Sequence, residues 1–115
     1  MAKYGNRKVT VDGIRFDSKK EAARWRELLV LKRAGLISDL ERQVKYELIP
    51  VQRVDGKCVE RAVNYIADFV YRDENGDLVV EDVKGYRDPH SAGYAQFVLT
   101  RKLMLYVHGI AVREI

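Results

Sequence analysis

The sequence predicts a mixed α/β domain, with a central mixed sheet flanked by helices. Two observations carry this. Segments of strand character flank a segment whose apolar residues recur at helical spacing, and a second helical segment precedes a short final strand. Turn and stop residues (Asp12-Gly13, Gly35, Pro50, Asn75-Gly76) also fall at the boundaries between these segments. With 115 residues, the chain is long enough for one core and too short for two, so residues 1–115 read as a single domain.

Taken in order, residues 8–16 alternate around Asp12-Gly13, a pair that favours the backbone of a tight hairpin. Asp17-Ser18 opens a helix that runs to about Ala34, where Gly35 supplies a stop. Residues 40–49 form a strand ending at Pro50, and a basic loop around Asp55-Gly56-Lys57 follows. Strands over 61–71 and 78–84 are joined by the turn residues 73–77. A polar loop over 85–93 leads to a helix over 94–108 and a last strand over 110–115. The order is therefore β-hairpin, then αβββαβ.

Composition narrows the function classes. Cys58 is the single cysteine, which excludes an intrachain disulfide and argues against a cysteine-based zinc site. No stretch approaches the roughly 20 apolar residues of a membrane span, and the first ten residues are too polar for a signal peptide, so a cytoplasmic protein without a membrane partner is expected. The net charge of +4 is compatible with a polyanionic partner without demanding one. Basic residues cluster before the first strand (Lys3, Arg7, Lys8), on the first helix (Lys19, Lys20, Arg24, Arg26) and on the second (Arg101, Lys102). A solvated helix face is the plainer explanation for such clusters.

The chemistry concentrates in Tyr65-Ile66-Ala67-Asp68-Phe69-Val70 and Asp82-Val83-Lys84-Gly85. Carboxylates inside a sheet are costly unless something compensates them, and a divalent cation does so. The turn between these strands decides which acid faces Asp68. A three-residue loop with Gly76 as a left-handed bulge sets Asp73 across from Asp77 and Asp68 across from Asp82. A two-residue Asn75-Gly76 turn puts Glu81 on that face instead. Asp at the first turn position and Gly at the fourth favour the longer loop and hence Asp82. Ile66, Val70, Leu78 and Val80 share the alternation, so this face is expected to be largely buried.

Glu21 falls on the apolar stripe of the first helix with Trp25, Leu28 and Lys32, while Lys19, Lys20, Arg24, Arg26 and Glu27 mostly point elsewhere. It is also the last residue of Ser18-Lys19-Lys20-Glu21, a capping box in which its side chain returns to the Ser18 amide. Both readings stand on the residues alone. Two or three carboxylates suit magnesium, and a lysine two positions after one of them suits phosphodiester hydrolysis.

Glu21, Asp68 and Asp82-Val83-Lys84, in the order helix, strand, strand, resemble the PD-(D/E)xK nuclease pattern. The resemblance covers nearly the whole chain, which closely resembles a group of small phage-encoded endonucleases and is similar in layout to phage Holliday-junction resolvases. It implies a restriction-endonuclease-like core and a DNA endonuclease acting on branched substrates as a homodimer. It also implies magnesium or manganese held by Glu21, Asp68, Asp82 and the Val83 carbonyl, with Lys84 as the catalytic lysine. The proline of the pattern is Ala67 here, which departs from the motif without removing a ligand.

Lys19, Lys20, Arg101 and Lys102 are candidate DNA contacts; Arg101 lies on the helix face shared by Tyr94, Phe97, Val98, Met104 and Leu105. Gly85 would allow close backbone approach after Lys84. His90 reads most simply as a loop residue and His108 as a packing or capping residue, and the seven tyrosines give no base-stacking signature. The competing classes are a non-catalytic nucleic-acid-binding module and an accessory phage protein whose acidic cluster is only an ion-pair network.

Overall fold

A computed structural model describes residues 8–84 and 90–115. A hairpin of β1 (Val9–Val11) and β2 (Ile14–Phe16) turns on Asp12 and Gly13, both at positive φ. Helix α1 (Lys19–Arg33) begins at Ser18, whose Oγ accepts the Glu21 amide at 3.1 Å. It ends where Gly35, at φ +78°, lets the Leu36 amide return to the Leu31 carbonyl. The long strand β3 (Ser38–Ile49) follows.

The segment expected to be a basic loop is instead a second hairpin, β4 (Gln52–Val54) with β5 (Lys57–Glu60). Asp55-Gly56, both left-handed, is the same turn chemistry as Asp12-Gly13. The flanks carry little apolar alternation because no core lies beneath them: every residue from 50 to 61 is exposed. Strands β6 (Val63–Arg72) and β7 (Leu78–Asp82), helix α2 (Ala92–His108) and a short β8 (Arg113–Glu114) complete the chain. Gly85 and the residues to Pro89, like Lys3 and Arg7, lie outside the described residues.

The central sheet has the order β3-β6-β7-β8, with antiparallel pairs except for parallel β7–β8. Helix α1 and the first hairpin cover one face, where Phe16, Leu28, Phe69, Tyr71 and Val79 are buried together. Helix α2 covers the other, where Phe97 and Met104 meet Leu48, Tyr65, Ala67, Val70 and Val80. Each large apolar side chain so enclosed contributes about 2–3 kcal/mol. No helix among the described residues is long and apolar enough to cross a membrane.

The sheet inverts its alternation at one point. Side chains two apart on a flat strand share a face, yet Ala67 packs toward α2 and Phe69 toward α1. On β3, Val44 joins the α2 cluster while Leu40 joins the α1 cluster. The change falls between the pairs Arg42↔Phe69 and Val44↔Ala67, where Gln43 has φ +52°. A left-handed non-glycine residue inside a strand is strained by about 1 kcal/mol or more. Asp68 sits at this switch. The expectation of a largely buried face is corrected: Val70 and Val80 are buried, but Ile66, beyond the inversion, is 53% exposed and Leu78, at the start of β7, 39%.

Candidate active site

The turn after β6 is the three-residue form. Asp73 N–H donates to the Asp77 carbonyl, Gly76 N–H to the Asp73 carbonyl, and Gly76 is left-handed at φ +81°. The resulting register pairs Val70 with Val80 and Phe69 with Glu81, so one step further Asp68 faces Asp82. Glu81, the rejected alternative, points to the α1 face, where it is fully buried against Arg24 and Tyr71.

Asp17, Ser18, Glu21, Gln43, Ile66, Asp68, Asp82, Val83 and Lys84 line one cleft of about 330 Å³. Four elements meet there: the N-terminal turn of α1, Gln43 of β3, the switch point of β6, and the end of β7. Glu21 is only 4% exposed, and Ala22 and Leu28 beside it anchor the helix. The Ser18 half of the capping box is formed, but the Glu21 carboxylate, expected to return to the Ser18 amide, takes the Asp17 amide instead and lines the cleft.

Electrostatics disfavour this many negative charges. Burial, with Asp68 and then Asp17 adding repulsion, pushes Glu21 up to about 7 against the Asp17 amide and the Arg42 charge. Burial, with Asp82 adding to it, pushes Asp68 up to about 6, although the Val83 amide favours its charged form. That amide donates to Asp68 Oδ2 at 2.8 Å and ties the two strands together. Lys84 Nζ stands 3.0 Å from Asp82 Oδ1, and Tyr65 donates its hydroxyl to Asp82 Oδ2 at 2.8 Å. Gln43 Nε2 approaches Asp68 Oδ1 at 3.4 Å.

Among the described residues, no group of three or more His, Cys, Asp or Glu side chains is arranged so that it could hold a metal ion. Asp82 has both oxygens engaged by Tyr65 and Lys84. The chemistry of the donor set nevertheless fits a hard divalent cation: Glu21, Asp68 and Asp82 offer oxygens alone, and burial disfavours the unneutralised charge of Glu21 and Asp68.

Residues 1–106 match the family described as "Protein of unknown function (DUF1064)". The chain belongs to that family. The match spans Glu21, Asp68, Asp82 and Lys84, so the whole cleft falls within it. No curated protein and no solved structure matches the chain significantly.

The basic candidates separate. Lys20 Nζ donates to the Lys84 carbonyl at 2.9 Å and so stands at the cleft. Lys19 lines a different depression with Val9, Ala22, Ala23 and Arg26. Arg101 reaches Glu114 of β8 at 3.7 Å, and Lys102 is exposed on α2; neither lines the cleft. His108 packs against Tyr46, with Nε2 2.6 Å from the Glu47 carbonyl oxygen, as a packing residue would.

Sequence reading missed Gln43, Tyr65, Arg42 and Arg24. Arg42 lies over the rings of Phe16 and Trp25, at 4.7 and 5.9 Å from their centroids. Arg24, expected to point outward, instead binds buried Glu81, which holds its charge more firmly and raises its pKa. Only Tyr65 left a usable signal, since a buried tyrosine beside an acidic motif needs an acceptor.

Proposed function

We propose that this protein is a divalent-cation-dependent endonuclease that hydrolyses DNA phosphodiester bonds, on a restriction-endonuclease-like core. One observation carries the reading: Glu21, Asp68, Asp82 and Lys84, distant in sequence, line a single polar cleft. Magnesium or manganese, when held by Glu21, Asp68, Asp82 and the Val83 carbonyl, supplies counter-charge and Lewis acidity at the phosphate. The chain's own contribution is positional. The Val83 amide and Tyr65 hydroxyl set the orientation of the two aspartates, and Lys84 offers a compact cation beside them.

In the reaction, a water oxygen forms a bond to phosphorus and loses a proton. The bond from phosphorus to one sugar oxygen breaks, and that oxygen takes up a proton. The products are one phosphate-ended and one hydroxyl-ended strand. Lys84 orients the attacking water or stabilises charge on the phosphate. Lys20, tied to the Lys84 carbonyl, adds positive charge at the same edge.

The preference for branched DNA, the homodimer and action in the cytoplasm of a phage-infected host rest on the resemblance to phage junction resolvases. The deciding experiment is cleavage of labelled four-way junction, flap and linear duplex DNA with magnesium, manganese or EDTA, comparing wild type with Asp82→Ala. Cation-dependent cutting that the variant loses supports the nuclease, and the preferred substrate defines its role. Cation-independent junction binding without cutting would favour a binding module. No cutting and no binding would favour an accessory protein, a reading for which the Lys84–Asp82 ion pair is the supporting observation.

A further inference from the structure

Lys84 is held from the α2 side by a group that carries no charge. Its ammonium nitrogen lies 4.0 Å from the centroid of the Phe97 ring. Phe97 belongs to the core cluster beneath α2, and Tyr65 of the same cluster reaches Asp82 Oδ2. A second depression of about 260 Å³, lined in part by Tyr65, Phe97, Gln96 and Thr100, adjoins the carboxylate cleft and shares Ile66, Asp82 and Lys84 with it. The Asp82–Lys84 pair therefore forms the boundary between the two depressions, braced by aromatic residues on one side.

We propose that Phe97 and Tyr65 are positioning residues of this site. Phe97 keeps the Lys84 ammonium at the cleft, and Tyr65 fixes the orientation of the Asp82 carboxylate. The proposal rests on the nuclease reading for its purpose, although the contacts themselves do not. The argument turns on what happens to Lys84 when a cation takes up the charge of Asp82. The ion pair at 3.0 Å then loses most of its attraction, and a lysine on a flexible stem is free to leave for solvent. The ring face attracts an ammonium through its own quadrupole, whatever the charge on Asp82. Phe97 is thus the anchor that survives cation binding. A leucine at position 97 fills most of the core volume without offering a ring face, which separates packing from positioning.

The test begins with NMR of the lysine side-chain methylenes in the whole protein. In wild type the Lys84 protons next to the ammonium should be shifted upfield by the Phe97 ring current, and should stay shifted after magnesium is added. Phe97→Tyr should keep the shift and Phe97→Leu should remove it. In cleavage assays Phe97→Leu should lose about tenfold in kcat with KM little changed, and Phe97→Tyr should retain activity. Tyr65→Phe should weaken manganese binding, read by calorimetry, by about tenfold. An unshifted Lys84 in wild type overturns the proposal without any variant. A shift that disappears with magnesium overturns the anchoring role. Cutting by Phe97→Leu as fast as wild type overturns the positioning role and leaves the nuclease standing. A wild type that shows the shift and cuts nothing overturns the nuclease reading, and with it the catalytic purpose of the contact.

Discussion

The Asp68 carboxylate accepts the amide of Val83, the residue after Asp82, and both aspartates lie one step beyond Phe69↔Glu81, the end of the β6–β7 ladder. Like charges on neighbouring strands destabilise a sheet, and Lys84 offsets only the Asp82 side, so a cation in the cleft should add stability. Asp68→Asn retains a side-chain oxygen for the Val83 amide while removing one charge. It should reduce cation-dependent cleavage by at least about 100-fold. Its melting temperature in EDTA at neutral pH should equal or exceed that of wild type. A variant that melts lower would show that the charged carboxylate is structural.

Stability without a cation should fall as the pH rises through the acid range. Glu21 is raised from 4.5 to about 7 and Asp68 from 3.8 to about 6, so the folded chain holds protons that the unfolded chain has released. Stability tied to these two groups is complete below their unfolded values and is lost as the pH passes their folded ones. Thermal melts in EDTA from pH 4 to pH 7.5 should therefore decline in their contribution from these groups, and Glu21→Gln should flatten the decline. Excess magnesium, binding only the ionised folded form, should oppose the loss most strongly near neutral pH. A slope identical in wild type and Glu21→Gln would refute the assignment.

Arg24 and Glu81 clamp α1 to β7 through the sheet face opposite the aspartate pair. The Arg24 Nε and Nη2 groups donate to the two Glu81 oxygens at 2.9 and 2.6 Å, and the Tyr71 hydroxyl adds a third donor. Glu81 has no exposed surface, so removing its partner strands a buried charge. Arg24→Ala should cost about 3–5 kcal/mol, whereas Glu27→Ala, which removes only the exposed arm of the network, should cost less than about 1 kcal/mol. Urea unfolding of the two variants checks the difference. Equal, small effects would mean that the clamp is not a stability element.

Most of the element order, though not the β4–β5 hairpin, and the convergence of Glu21, Asp68, Asp82 and Lys84 on one cleft were legible because they rest on local chemistry. Ser18 caps α1, Gly35 ends it, and Asp73 with Gly76 defines the loop that puts Asp82 rather than Glu81 across from Asp68. Arg24 was not legible, since a guanidinium on a basic helix face reads as solvated until its buried acid is placed. Nor was the face inversion at Gln43 and Asp68. It depends on a left-handed backbone at an unremarkable glutamine, so strict alternation carried past it placed Ile66 in the core when it stands at the cleft edge. The pairing of Lys84 with Phe97 joins residues from β7's end and α2, a relationship no local pattern encodes.

The β4–β5 hairpin should be dispensable for folding. Its strands pair only with each other, and every residue from 50 to 61 is exposed, including Val51, Val54 and Val59. An isolated two-stranded hairpin contributes little stability of its own, and the β3–β6 ladder is already closed by the pair Ile49↔Val63. Replacing residues 51–61 with an Asn-Gly turn should therefore change stability by less than about 1 kcal/mol. Far-UV circular dichroism and a thermal melt read the outcome. A melting temperature within about 8 °C of wild type fits an appendage outside the core. A collapse of the transition would show that the hairpin templates the long β3–β6 ladder, so that the register at Asp68 depends on residues far from the cleft.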